Sequence, residues 1–181
     1  MKSDYIVRAK KFLDVFSQYL PDKPYIGSYD VKMAIDIFTQ DFPSRQIYTE
    51  CGSSRVVFFT SDYAIKVDTS SENRWGTCVD EIAVYDFARE HGYEHLFTPV
   101  TQYCINHQVF YIYPRIKSTI YDRGIYKGDE DDEYAYYDFF TDDDDRWFLD
   151  KYISDLHLAN ISTLHGKPII IDYACHNLLQ W

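Results

Sequence analysis

Three oxygen-bearing side chains toward the carboxyl end of the sequence have the types and spacing to work on a phosphate. Asp155 and Asn160 stand five residues apart in Ser154-Asp155-Leu156-His157-Leu158-Ala159-Asn160, and Asp172 follows twelve residues after the asparagine in Ile170-Ile171-Asp172-Tyr173. A carboxylate can accept or orient the proton of an attacking hydroxyl, while an amide oxygen and a second carboxylate are hard donors of the kind magnesium prefers. Upstream, Ala64-Ile65-Lys66-Val67 sets a lysine at the end of a β-branched, strand-like run. Together the four residues point to phosphoryl transfer, in which a polyphosphate must be held with metal while a hydroxyl attacks nearly in line.

Lys66 can serve α- and β-phosphates only if an acid fixes its ammonium. Glu81, fifteen residues on and near the start of the next predicted helix, is the first choice; Glu72, in the intervening loop, is the second. The apolar run Ile169-Ile170-Ile171 reads as a strand that presents Asp172. Between the first two predicted strands lies Cys51-Gly52-Ser53-Ser54-Arg55-Val56-Val57, where backbone amides and the two serine hydroxyls can approach phosphate. This turn holds one glycine, and no G-x-x-x-x-G-K-[ST] pattern occurs, which excludes a P-loop reading.

The elements that must position these residues are legible in outline. Lys2 to Leu20 carries Ile6, Val7, Phe12, Leu13, Phe16 and Leu20 at near-helical spacing and ends at Pro21. Ser28 is expected to cap a second helix through Val31, Met33, Ala34, Ile37 and Phe38. Three antiparallel strands are predicted at Gln46–Thr49, Arg55–Thr60 and Tyr63–Asp68, then a helix over Cys78–His91 burying Ile82, Ala83, Phe87 and Ala88 and ending at Gly92. Two strands follow, Val100–Ile105 and Gln108–Tyr113. After an aromatic and acidic connection, a helix is expected over Asp144–Ser154 and a hairpin over Asn160–Thr163 and Pro168–Asp172. The fold class is therefore α+β.

At 181 residues, 46% of them hydrophobic, the chain can bury the core of one compact domain. Its aromatic content rules out disorder. No apolar run is long enough to span a bilayer and the amino terminus lacks a signal-peptide core, so a cytoplasmic protein without membrane attachment is expected. Cys51, Cys78, Cys104 and Cys175 form no C-x-x-C pair and are expected as buried free thiols. The net charge of −11 is local: Asp129 to Asp145 contains ten acidic residues and no Lys or Arg. Such a run reads as a solvated acidic loop or a surface for a basic partner, and argues against nucleic-acid binding.

On Gly52 to Val57, Ala64-Ile65-Lys66-Val67, Glu81, Asp155 to Asn160 and Ile171-Asp172, the chain resembles the protein kinase-like fold, and most closely the small protein kinases of tailed bacteriophages. The order of three strands, a helix and two strands resembles a kinase amino-terminal lobe. The resemblance implies a minimal kinase domain: a helical extension over 1–45, a five-stranded antiparallel lobe over 46–113 with one αC-like helix, and a truncated helical lobe over 114–181. It implies a serine/threonine kinase acting with ATP and magnesium on host proteins or on itself, in the host cytoplasm if phage-encoded. Lys66 and Asp155 would then be catalytic and Asn160 and Asp172 would bind the metal. Gly52, Ser53, Ser54, Arg55, Val56, Ala64, Lys66, Glu81 and Ile116 would meet the nucleotide, with Ile112 to Ile116 as the hinge near adenine. His157, where eukaryotic kinases usually have lysine, also resembles the aminoglycoside and choline phosphotransferases.

The departures bear on substrate. Tyr173 and Ala174 replace the usual Phe-Gly after the metal-binding aspartate, and the nine residues after Asp172 leave no room for the peptide-binding helices of a full kinase. Support for the catalytic loop must then come from the two amino-terminal helices or from a second subunit, which makes a homo-oligomer an expected state. The alternative is a non-enzymatic interaction protein on the same scaffold, inhibiting a host enzyme or defence system partly through the acidic segment.

Overall fold

The computed structural model describes residues 4–23, 25–51, 55–69, 77–116, 135–154, 156–174 and 178. In chain order the elements are α1 (Asp4–Phe16), α2 (Ser28–Asp41), β1 (Tyr48–Cys51), β2 (Arg55–Phe59), β3 (Tyr63–Asp68), α3 (Cys78–Glu90), β4 (Thr101–Ile105), β5 (Gln108–Pro114), α4 (Asp143–Tyr152), β6 (Ile161–Leu164) and β7 (Lys167–Ile170). The architecture is α+β, with a five-stranded antiparallel sheet in the order β1-β2-β3-β5-β4 and a separate β6-β7 hairpin. The chain divides into two compact units, Met1–Cys78 with Val100–Arg115, and Val79–Pro99 with Ile116–Trp181.

In the first unit, pairing puts Val56, Phe58, Ile65, Val67, Phe110 and Ile112 on one face of the sheet, where they share a core with α1 and α2. The helices meet it with Ala9, Phe12, Leu13 and Phe16 from α1 and Val31, Ala34, Ile35 and Phe38 from α2. Phe12 is the hub, its ring centroid 5.4 Å from Phe16, 5.3 Å from Phe38, 5.9 Å from Phe58 and 6.1 Å from Tyr63. Rings at these separations in tilted and edge contacts add to the large apolar area each buries.

Several expectations shift here. Val7 in α1 and Met33 and Ile37 in α2 are exposed, not buried, because Ala9 and Ile35 take the inward positions. Ser28 opens α2 but does not cap it: the Gly27 N–H donates to Asp30 Oδ2 at 2.7 Å, and Gly27 O accepts from the Val31 N–H. Lys23 Nζ reaches the same carboxylate oxygen at 2.8 Å. The first strand begins two residues later than predicted, at Tyr48. Cys104 is an exposed thiol and Cys78 a buried one.

Two hairpins turn on pairs of left-handed residues, Asn106 (φ 48°) with His107 (φ 63°) between β4 and β5, and His165 (φ 54°) with Gly166 (φ 80°) between β6 and β7. Positive φ at both central positions matches the twist of antiparallel strands.

The second unit is organised around Val84, Ala88, Leu96, Phe97, Phe148, Leu149, Leu158, Ile161, Ile170 and Tyr173. The buried face of α3 is Glu81, Val84 and Ala88; Ala83, expected inside, is exposed. Gly92 (φ 85°) ends this helix, with the Tyr93 N–H donating back to Ala88 O at 2.7 Å. Asp142 to Asp145 are not loop. Asp142 caps α4, its Oδ1 accepting from the N–H groups of Asp144 at 2.9 Å and Asp145 at 3.3 Å, and the next three aspartates fill the first turn, where the helix dipole favours negative charge. Asp129 to Glu133 lie outside the described residues. At the other end of α4, Asp150 accepts hydrogen bonds from the hydroxyls of Tyr136 and Tyr137. Burial first, and then the bond to Asp150, pushes the Tyr136 hydroxyl well above the ordinary phenol range. Among the described residues no helix is long and apolar enough to cross a membrane.

Candidate active site

Lys66 lies on β3, a strand with neighbours on both sides, and pairs with Val57 of β2 and Tyr111 of β5. Paired residues in a sheet share a face, so Val57, Ala64, Lys66, Asp68, Tyr111 and Tyr113 stand on the side opposite α1 and α2. The lysine is 7% exposed, and its Nζ sits 4.6 Å from the centre of the Tyr113 ring. An aromatic face attracts an ammonium and orients it without neutralising it. Val56, expected to meet the nucleotide, is fully buried with the α1 and α2 core, on the face opposite Lys66, whereas Val57 stands on Lys66's face. Arg55 pairs with Asp68 on Lys66's side. Gly52, Ser53 and Ser54 lie outside the described residues.

Asp68, two residues beyond Lys66, joins the strand to the following helix. Its two carboxylate oxygens accept from the Cys78 N–H at 3.0 and 3.2 Å, capping α3 from ten residues away. Three residues into that helix, Glu81 is completely buried. A carboxylate is sequestered this way only with polar partners, since an uncompensated buried charge costs several kcal/mol (roughly 3–5). Lys66 belongs to the first unit and Glu81 to the second.

In the segment expected as the hinge, the Arg115 N–H donates to Asp62 O at 3.0 Å, and Pro114 carries no N–H. The Arg115 guanidinium lies 3.7 Å from the Phe59 ring centre. Burial draws that guanidinium below its usual range, with Glu50 opposing the shift. Ile116 is half-buried and begins the second unit's share of the connection.

Asn160 and Asp172 flank the β6-β7 hairpin. Its register pairs Ile161 with Ile170, and the ladder continues one step further through the Ile171 N–H to Asn160 O at 2.8 Å. Asn160 thereby stands opposite Ile171, the residue before Asp172, at the open end of the hairpin. The asparagine is oriented twice by His157, whose carbonyl accepts from the Asn160 N–H at 2.9 Å and whose Nε2 lies 3.1 Å from Asn160 Nδ2. An amide can only donate through nitrogen, so His157 accepts at Nε2 and the oxygen of Asn160 is turned the other way.

Asp172 lies two residues beyond β7, which ends at Ile170 and so falls short of the predicted strand to Asp172; β7 is clamped from Thr98. Ile170 O accepts from the Thr98 N–H at 2.9 Å and from Thr98 Oγ1 at 2.8 Å, and the Tyr173 hydroxyl donates to Thr98 O at 2.6 Å. Tyr173 is 1% exposed and its ring meets Phe97 edge-on at 5.0 Å. The hydroxyl that distinguishes it from phenylalanine is therefore used. Thr98 was missed in the sequence because its partners are backbone atoms; His157 stood out there by its place in the motif, but not for its hold on Asn160.

Asp155 lies outside the described residues. Among the described residues no group of three His, Cys, Asp or Glu side chains is placed to hold a metal by itself. An amide oxygen with one carboxylate is nonetheless a set that suits magnesium, which completes its shell with substrate phosphates and water. No model of a known protein family matches the chain, and comparison with curated proteins finds no relative.

Proposed function

We propose that this chain is a phosphotransferase of kinase-like fold, a serine/threonine protein kinase of the phage type that moves the γ-phosphate of ATP to host proteins or to itself. The observation that carries the reading is the closing bond of the β6-β7 hairpin, which sets Asn160 opposite Ile171, one residue before Asp172, with the asparagine held by His157. The order of three strands, a helix and two strands around Lys66 supports it.

In this reading Lys66 lends positive charge to the phosphates, steadied by the Tyr113 ring. Asp155 accepts the proton of a serine or threonine hydroxyl as that oxygen bonds to the γ-phosphorus and the bond to the β,γ-bridging oxygen breaks, releasing ADP. Asn160 Oδ1 and the Asp172 carboxylate are the groups that would hold magnesium, which supplies neutralising charge to the phosphate oxygens. Fixed donors of this kind lose no energy to reorganisation when charge develops. Incubation with γ-labelled ATP, alone and with bacterial lysate, is expected to label protein with the wild type and not with Asp155→Ala. Absence of transfer, or equal transfer by the variant, rejects the reading.

The exposure of Asp143 and Trp147 at the start of α4 favours a second reading, binding of a basic host protein through this helix without catalysis. Binding that survives Lys66→Ala and Asp172→Ala but is lost on replacing Asp142 to Asp145 by asparagine would support it.

A further inference from the structure

The outward face of α2 carries an apolar stripe that is exposed among the described residues. Tyr29, Met33 and Ile37, each four residues from the next, are 75%, 43% and 43% exposed. Four-residue spacing places them one above another on a helix, opposite the Val31, Ala34, Ile35 and Phe38 positions that enter the core. Along one flank of the stripe stand Lys32 and Asp36, both exposed and neither in an ion pair among the described residues.

We infer that α2 is a self-recognition surface and that its occupant is α2 of a second copy of this chain, packed antiparallel about a two-fold axis. The symmetry makes the case. A two-fold that reverses the helix direction brings the same flank of both helices together. When the axis passes level with position 34, Lys32 of one copy faces Asp36 of the other, and Asp36 faces Lys32. At about 1.5 Å rise per residue, the same axis interleaves the apolar side chains in the order Tyr29, Ile37 of the other copy, Met33, Met33 of the other copy, Ile37, Tyr29 of the other copy. One register thus satisfies the charges and the stripe together. A parallel pairing would bring opposite flanks together, so Lys32 and Asp36 of the two copies would not meet.

The pairing leaves the Lys66 face untouched, because α2 covers the opposite side of the sheet. Two helices of this length bury less than a standard interface, so the dimer is weak and concentration-dependent. The inference is independent of whether the chain transfers phosphate.

The test is sedimentation equilibrium of the full chain from about 1 to about 200 µM, a span suited to a weak interface. The wild type is expected to pass from monomer to dimer, Lys32→Asp and Asp36→Lys each to shift the transition at least tenfold upward, and the double exchange Lys32→Asp with Asp36→Lys to bring it back. Met33→Asp, at an exposed position that does not disturb the fold, is expected to abolish dimerisation. A wild type that stays monomeric throughout overturns the inference. So does a dimer indifferent to Met33→Asp, or a double exchange that does not recover.

Discussion

His157 and Asn160 are tied to each other twice, through the Asn160 N–H to His157 O at 2.9 Å and the Asn160 amide nitrogen to His157 Nε2 at 3.1 Å. The first bond sets the backbone turn into β6, and the second turns the amide oxygen away from the histidine. In the proposed kinase the histidine is thus a positioning residue. Removing the partner that orients a metal ligand commonly costs 10- to 100-fold in affinity or activity. His157→Ala is expected to raise the magnesium concentration needed for half-maximal ATP turnover by about that factor, while His157→Gln, which keeps an acceptor, loses less. A magnesium titration of turnover in the three proteins checks this.

Tyr173→Phe removes a single hydroxyl and leaves Thr98 O without that donor in a buried place. An unsatisfied buried acceptor costs about 1–3 kcal/mol. Urea unfolding is expected to show a lowered midpoint by that amount with an unchanged slope. Asp172, the adjacent residue, is expected to bind magnesium more weakly in the same variant.

The Asp30 carboxyl is held below the usual carboxylate range, by Lys23 first and then by the Gly27 N–H. A carboxyl with a depressed folded-state pKa stabilises at pH above its unfolded value and loses that contribution as pH falls through the folded value. Asp30→Asn is therefore expected to be less stable than wild type by about 1 kcal/mol near neutral pH, the scale of a helix cap. The difference should shrink on acidification below about pH 4, the ordinary carboxylate range. Thermal unfolding of both proteins across this range gives the comparison.

Phe12→Ala empties the centre of the five-ring cluster that joins α1 and α2 to the sheet. Truncating a buried phenylalanine costs about 3–5 kcal/mol, a large part of a domain's stability. Amide hydrogen exchange is expected to speed up across α1, α2, β2 and β3 together, because they share one core.

The strands around Lys66 were legible because β2 and β3 are rich in β-branched and aromatic residues, and the α3 to β5 succession because its breakers, Gly92 and Asn106-His107, fall where the elements change. The inward face of α2 was legible in part, Val31, Ala34 and Phe38 going in as expected. Apolar residues occupy both sides of that helix, and only the sheet decides that Ile35 goes in while Met33 and Ile37 stay out. The cap on α2 was assigned to Ser28 because serine is a frequent cap; the carboxylate of Asp30 and the unhindered amide of Gly27 compete better. In the candidate site, the expected metal ligands Asn160 and Asp172 stood out by type and spacing. The residues that hold them in place act across long separations in the chain: Thr98 reaches Ile170 over 72 positions, and such a contact has no period to read.

ATP binding by titration calorimetry, with and without magnesium, in the wild type and in Asp172→Asn, tests the central claim most directly. The account predicts binding that magnesium strengthens at least tenfold in the wild type and leaves unchanged in Asp172→Asn. No binding by the wild type, or binding that ignores both magnesium and the substitution, would contradict it.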